Sequence, residues 1–529
     1  MSNPRCIPRL FVSSSLLATL LLLFITLAFT PLFQLLINSQ MVLSNGTLSF
    51  TQWLAPTPPI YKIVTVYNVT NRAVVEEGGD PVLQAMGPYY FREYRVRVDV
   101  EVVYDMEVRF GERKWYLFDE AKTNENRVDK LDPFKDKFTT FNIPYIGVAY
   151  NLTCSGASMN EKRAVIVASA IAHEQGVFMT KIVRDVVFGF TDPFLEALKI
   201  AIPSLPSTVQ LVYNMSEVDI TKTSRVRTGR VDRSKLGRYS EWQGFRKLPY
   251  WGSEDANKIN GTEGIFFSPN LDKTKMITTF VDDLVRSNPM EFVSEEEVMT
   301  LNTYKYQIPK YILQNAENNP LNRGFYSFGP DGLMNMTAPR MAPVFASKPS
   351  FMDAESWLID EISGLPPADR STMETNIWVE PSTGLLVKAV KQLQANMMIQ
   401  KMADFPGLAG LRERPRYVPI ANILETGGMD EELVELFRKR VVRPKLYLVI
   451  GIWSLVGVGF LVSGASGCYL ACVKRKGRRL RNESTENSEG DGYAEPLLVN
   501  GEGSQGDGEA IYESFAGDAE STANIYQSI

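Results

Sequence analysis

Histidine is nearly absent from this chain: its 529 residues contain one, His173. A Ser-His-Asp hydrolase would have to be built on that single imidazole, which makes an esterase a distant reading. No Gly-x-Ser-x-Gly elbow, phosphate loop or zinc-spaced Cys/His set occurs, so no reaction, cofactor or metal is implied. Cysteine is scarce as well, with four residues. Cys6, Cys468 and Cys472 lie in or beside the apolar ends, so the middle of the chain holds Cys154 alone and cannot close an internal disulfide. Cys154 reads as a small buried residue, with an intermolecular bridge as the alternative. Long apolar runs are missing everywhere except at the two ends.

At those ends, Leu10–Ile37 and Leu446–Val473 are each 28 residues long without a charged side chain. A helix crosses a bilayer with about 20 apolar residues, so both are long enough to span. A cleaved signal peptide has a core of only about 7–15, so the first run reads as an uncleaved anchor. Arg5 and Arg9 precede it, and Lys474-Arg475-Lys476 with Arg478, Arg479 and Arg481 follow the second. The positive-inside rule then puts both termini in the cytosol, although Arg438, Lys439, Arg440, Arg443 and Lys445 argue the other way. The expected plan is a cytosolic stub (1–9), a span (10–37), a luminal domain (38–445), a second span (446–473) and a tail (474–529). The basic run after the second span suits anionic lipid and not nucleic acid.

Six sequons, at Asn45, Asn68, Asn151, Asn214, Asn260 and Asn335, agree with a luminal glycoprotein surface. Cys6, Cys468 and Cys472 are palmitoylation candidates. Gly459, Ser463, Gly467 and Ala471 form a small-residue stripe, suited to packing against the first span or to a homodimer.

Within the luminal segment, Tyr94, Val96, Val98, Val100 and Val102 alternate with Arg95, Arg97, Asp99 and Glu101, which predicts a strand with its apolar face buried. Met106–Phe110 and Arg113–Phe118 predict a hairpin around Gly111-Glu112. Asn160–His173 puts Ala164, Val165, Ala168, Ile171 and Ala172 on one helical face, Phe178–Phe188 reads as a second helix, and Asp192-Pro193 opens another. Short strands return from Val209 to Val390, and Asp430–Lys439 reads as a final helix. Asp282-Asp283 and Glu295–Glu297 read as solvated charge runs. The architecture expected is mostly antiparallel sheet with an inserted helical cluster.

Five strings occur in order: Tyr67–Asn71 with Gly87–Tyr94, Val183–Phe194, Ile259–Gly264 and Val379–Gly384. Together with the two apolar ends they resemble the class B scavenger receptor family. The resemblance implies an irregular antiparallel β-barrel capped by a helical bundle (about 155–195) and a lipid-accommodating tunnel toward the membrane. Gly87-Pro88 would then be the turn feeding the valine strand, and Val379–Ile399 a barrel strand region. It further implies a receptor that binds lipid (sterol, fatty acid or phospholipid) or a luminal hydrolase and promotes lipid transfer into the membrane. The family's later disulfides are missing here, its Trp-Gly-Tyr reads Phe188-Gly189-Phe190, and its ligand-attracting lysine pair falls on Ala172 and Glu174. Lys162, Arg163, Lys181 and Arg184 are the alternative basic candidates. His173 stands among them, and an imidazole titrates in the range of an acidifying lumen.

The tail, rich in Gly, Ser, Asn and acid, reads as disordered. Tyr512-Glu513-Ser514-Phe515 and Tyr526-Gln527-Ser528-Ile529 fit tyrosine-x-x-hydrophobic sorting signals for clathrin adaptor proteins and point to late endosomes and lysosomes. The rival readings are a cell-surface phagocytic or adhesion receptor of the same fold and a two-span ion channel subunit. For the channel, only Gln34 and scattered Ser and Thr are polar within the runs.

Overall fold

A computed structural model describes residues 16–486, except 22, 25, 26, 28–33, 36, 57, 174, 201, 204, 213–221 and 327. Cys6, Glu174, Asn214, Tyr512, Phe515, Tyr526, Ile529 and more than half of the first apolar run therefore lie outside the described residues. The chain divides into two compact units, Leu21–Leu455 and a second combining Met1–Leu20 with Val456–Ile529.

The larger unit is organised by one antiparallel sheet. Its main path runs through Ile60–Val69 (β1), Leu83–Val103 (β2), Glu107–Phe118 (β3), Ser224–Arg227 (β4), Tyr239–Glu241 (β5), Ile277–Val281 (β6), Arg286–Val298 (β7), Leu301–Gln307 (β8), Asn376–Val379 (β9), Leu386–Ile399 (β10) and Arg416–Gly428 (β11). Each strand pairs with a chain neighbour, and β11 returns to pair with β1, Tyr61 opposite Thr426. Between β5 and β6, Thr262 bridges Arg238 on one side and Thr279 on the other. That segment nearly closes the sheet into an up-and-down barrel, which leaves little free edge. Gly261 allows the approach: its φ is +110°, and a Cβ there would lie 2.8 Å from the Thr278 carbonyl oxygen.

Several local expectations are corrected. The β2–β3 turn is Tyr104–Met106, and Gly111-Glu112 lies inside β3, with Gly111 opposite Val98 and Glu112 opposite Arg97. Gly87-Pro88 is a cis peptide within β2, near its start, and not a turn; the β1–β2 register shifts there, between Val64 and Val66. The largest reversal is the face of β2. Tyr89, Phe91, Glu93 and Arg97 are buried while Tyr94, Val96 and Val98 are half-buried on the other face. The charged side of the alternation points into the barrel, where other strands supply partners. A register shift between Val98 and Glu101, with Asp99 at φ +50°, changes the phase and brings Val100 into an apolar cluster.

Among the described residues, the helices longer than four residues between β3 and β4 are Ile143–Cys154 (α1), Met159–Ile171 (α2), Val183–Phe188 (α3) and Pro193–Lys199 (α4). α2 starts with a Ser158/Glu161 capping box, and Asp192 caps α4 by accepting the Leu195 N–H. On α2 it is Val165 and Ser169 that are buried, whereas Ala164 is exposed and Ile171 is 72% exposed, so the predicted apolar face is rotated. Phe178–Ile182 is a strand paired with Lys137–Phe141, Phe178 opposite Phe141, and the helix begins only at Val183. Two aromatics facing across strands bind better there than on a short helix. Cys154 is exposed and not buried.

After β11, helix Glu431–Phe437 passes through a π-turn at Arg438–Val442 into helix Arg443–Glu486. Among the described residues this is the one helix long and apolar enough to cross a membrane. It continues through the basic run, so the tail expected to be disordered from residue 474 begins as helix. In the smaller unit a Cβ at Gly459 would lie 2.6 Å from the Thr19 hydroxyl, so the small-residue stripe meets the first apolar run at that point.

Candidate functional site

Register places a charge network inside the barrel. Lys62 on β1 is 1% exposed, directly opposite Glu425 on β11, which is in turn opposite Lys391 on β10. The Lys62 ammonium lies 3.0 Å from Glu425 and 3.2 Å from Asp283, and Lys391 is 2.8 Å from Glu425. On the facing side, Arg95 reaches Glu93 at 2.6 Å and Glu112 at 3.4 Å, and Lys114 reaches Asp282 at 3.3 Å. Arg97 lies 2.5 Å from Glu263 in the closing segment and donates to the Trp53 carbonyl. Asp282-Asp283, expected as a solvated run, lines the barrel cavity, with the Asp283 side chain 23% and the Asp282 side chain 47% exposed, whereas Glu295 pairs with Lys273.

The electrostatics follow from this pairing. Burial opposes the charge on Lys62, but Asp283 and Glu425 outweigh it and hold its pKa well above that of an ordinary lysine. Burial likewise opposes ionisation of Glu425, and Lys391, Lys62 and Arg95 overcome it, leaving its pKa well below the usual carboxylate range. Glu93 and Asp282 are depressed in the same way, against burial, by Arg95 and Lys114. Six carboxylates (Glu93, Glu112, Glu263, Asp282, Asp283, Glu425) meet five cations (Lys62, Arg95, Arg97, Lys114, Lys391). The network has no surplus cation for an anionic guest.

Four cavities adjoin one another around this network. The barrel cavity, lined by Lys62, Arg95, Asp282 and Glu425 among apolar residues, holds about 150 Å³. It shares Asp283, Leu284, Leu393 and Ile423 with a chamber of about 400 Å³ beneath α1. That chamber shares Val148, Asn151, Leu205 and Met341 with an apolar chamber of about 670 Å³ beside α2 and α4. At the other end the barrel cavity shares Ile60, Ile265, Leu386 and Gly428 with an apolar pocket of about 110 Å³ that reaches Met41 and Phe437. Ligand pockets usually measure about 300–1,000 Å³, a range the two chambers near the helices meet. An apolar cavity of about 150 Å³ accommodates a guest the size of benzene, so the charged barrel section and the apolar pocket beyond it are the tight part of the path.

The residues picked out from sequence do not converge on one patch. Lys162 turns to Asp404 at 2.7 Å and is only 13% exposed, Lys181 lies 4.7 Å over the Phe190 ring, and Arg184 pairs with Asp185 at 3.1 Å. Arg163 is exposed on α2, and His173 is exposed just beyond it at φ +54°. Among the sequons, Asn45, Asn151 and Asn260 are exposed, Asn68 is half-buried and accepts the Thr139 N–H, and Asn335 is 7% exposed. Asn151 and Asn335 both line the 670 Å³ chamber. Cys468 and Cys472 are exposed on the apolar helix.

The quoted strings gain structural roles. Ile259–Gly264 is the segment that closes the barrel. In Val379–Gly384, Glu380 caps its own turn through the Ser382 and Thr383 N–H groups, and Gly384 accepts the Phe267 N–H at 2.8 Å. Phe188 packs against Phe91 and Tyr116 with ring centroids at 4.7 and 4.8 Å, joining α3 to β2 and β3. Apart from Arg95, which pairs with Glu93 and Glu112 on its own hairpin, the barrel charges find their partners far along the chain, where no local pattern shows them.

Comparison with known proteins gives the same picture over nearly the whole length. The CD36 family profile matches residues 12–470. Lysosome membrane protein 2 of Mus musculus is 27% identical over 471 residues, covering 87% of this chain and 94% of that protein. Its Homo sapiens counterpart is 26% identical, with 90% and 96% covered. Scavenger receptor class B member 1 of Cricetulus griseus is 26% identical, with 80% and 82% covered. With its nearly closed antiparallel barrel, its apolar C-terminal helix and this match over most of its length, the chain belongs to the CD36 family.

Proposed function

We propose that this protein is a two-pass endosomal or lysosomal membrane glycoprotein receptor, not an enzyme, that takes up lipid and passes it through the barrel into its own membrane. The observation that carries this reading is the chain of four cavities, each sharing lining residues with the next, from the helical cap to Phe437 at the head of the apolar helix. Cargo rests in the chambers beneath the helices. Passage requires widening of the charged barrel section. Each methylene moved in a dry path avoids about 0.8 kcal/mol of exposure to water. The absence of a surplus cation favours neutral-headed lipid over a fatty-acid carboxylate. A lysosomal address fits the lysosome membrane protein relatives and the tail tyrosines, which adaptor proteins would read.

The test is transfer of a fluorescent sterol from donor vesicles into liposomes containing the full-length protein. Leu393→Trp, which fills the junction of the barrel cavity and its neighbouring chamber, should lower the rate several-fold while the melting temperature holds. An unchanged rate with a correctly folded variant would defeat the conduit. Ion current without lipid transfer in the same liposomes would support a channel. Steady residence of the wild type at the cell surface, indistinguishable from Tyr526→Ala, would instead favour the phagocytic or adhesion receptor. His173→Gln tests a pH-responsive partner surface: loss of pH dependence in hydrolase or ligand binding supports it, and unchanged dependence rejects it. Homodimer formation is tested by cross-linking in the membrane.

A further inference from the structure

The β2–β3 hairpin runs on past β1. Ile60, the first residue of β1, stands opposite Glu93, and β2 runs on ten residues past that point to Val103. Beyond Ile60 the hairpin continues with β4 as its other neighbour, Glu107 opposite Arg227 and Phe110 opposite Ser224. It extends toward the chain ends that enter the apolar segments. Ile37, the last residue of the first apolar run, lies in one apolar cluster with Leu43, Val108, Val226 and Leu236, and Val441 packs on the same cluster just ahead of the apolar helix. The Leu43 N–H donates to the Thr228 carbonyl at 2.9 Å, and the Thr228 N–H donates to the Met106 carbonyl at 2.9 Å. The hairpin tip and the loop after β4 are therefore held together at the end of the barrel where both apolar segments begin.

These two loops carry exposed apolar side chains where a soluble surface has no use for them. Tyr104 is 88% exposed, Val231 77% and Met106 43%. Arg230 joins the loops through Asp105 at 3.0 Å, and Lys235, 56% exposed, pairs with Asp232 at 3.0 Å beside the half-buried Arg233. Aromatic and aliphatic tips framed by basic side chains suit the headgroup layer of a bilayer, where the ring sits among glycerol groups and cations reach phosphate oxygens.

We propose that the Tyr104–Met106 and Arg230–Lys235 loops form a membrane-contacting rim that dips into the luminal leaflet of the protein's own bilayer, Tyr104 and Val231 inserting and Arg233 and Lys235 meeting phosphates. The rim holds the barrel's lower opening against the bilayer. The proposal rests on the reading of the C-terminal apolar helix as a span.

The test uses the full-length protein, its four cysteines replaced by serine, in phosphatidylcholine nanodiscs. Single spin labels are placed by Tyr104→Cys, Val231→Cys, Gly457→Cys and Val128→Cys. Val128 is 97% exposed and lies beyond Phe118, at the far end of β3. Collision with oxygen relative to a water-soluble nickel chelate should be several-fold higher at 104 and 231 than at 128. Equal ratios at the three sites, with position 457 reading as bilayer core, would overturn the rim alone. An aqueous reading at 457 would overturn the span and the rim with it. Adding Arg233→Glu and Lys235→Glu should shift the label at 231 toward the aqueous ratio; an unmoved label would overturn the phosphate contact.

Discussion

Replacing Lys62 with methionine tests the charge network most directly. The variant keeps the length and volume of the side chain and removes a charge that is 1% exposed. Breaking one partner out of a buried ion pair typically costs about 3–5 kcal/mol, because the remaining charge is left without compensation. Two features of this site reduce that figure. Glu425 keeps Lys391 at 2.8 Å, and the Asp283 side chain is 23% exposed. The cost expected for Lys62→Met therefore drops below that range, to about 2–3 kcal/mol. Unfolding entropy of about 2.1 cal/mol/K per residue over roughly 400 residues gives about 0.8 kcal/mol/K, so the melting temperature should fall by about 2–4 °C. Intrinsic tryptophan fluorescence during a thermal ramp of the detergent-solubilised full-length protein reads this shift. Adding Asp283→Asn should recover about half of the loss, since the orphaned carboxylate is then gone. A single variant that melts within a degree of wild type, or a double variant that melts lower still, would refute the assignment of Lys62 as the charge that compensates Asp283 and Glu425.

The network also sets a pH window. Glu93, Asp282 and Glu425 have depressed folded pKa values, so their stabilisation is complete above the unfolded value of about 4.3 and is lost as pH falls through the folded values. Lys62 and Lys114 are raised, so theirs is complete below about 10.4 and lost as pH rises beyond it. Melting temperature should accordingly be flat between about pH 5 and 9 and fall on both sides, and a steep loss between pH 7 and 5 would contradict the pairing. Gly261→Val forces a β-branched residue into φ +110° against Thr278 and should open the barrel seam, read as a lower melting temperature and faster proteolysis between β5 and β6. Glycopeptide mass spectrometry should find Asn45 and Asn260 occupied and Asn335 bare, because Asn335 is 7% exposed with its side-chain oxygen accepting the Thr337 N–H at 2.8 Å.

Much of the fold was readable in advance where a local pattern carries its own geometry. The Asp192-Pro193 helix start and the uninterrupted apolar helix from residue 446 both concern neighbours within one or two turns. Faces were harder. Ala164 and Ile171 fit a helical stripe, but the neighbouring elements cover Val165 and Ser169 instead. Phe178–Ile182 reads locally as helix because its partner, Lys137–Phe141, is about forty residues earlier and adds nothing to a local window.

The barrel strand β2 shows where the division lies. Alternation alone establishes that Tyr94–Val102 is a strand with two unlike faces, since period 2 is a property of the extended backbone. It says nothing about which face turns inward. Hydrophobicity favours the valines, and burying Arg95, Arg97 and Glu93 without partners would be prohibitive. Arg95 and Glu93 pair with each other along the strand, but the remaining partners exist only once the barrel is closed: Glu263 lies 166 residues from Arg97, and Glu425 lies 363 residues from Lys62. Local sequence therefore determined the two apolar ends, the family and those elements whose pattern is complete within a few residues. The inward-facing charges, the cavities on either side of them and the narrow section they create came from tertiary closure, because a buried charge is tolerable only where a distant strand brings its counter-charge within about 3 Å.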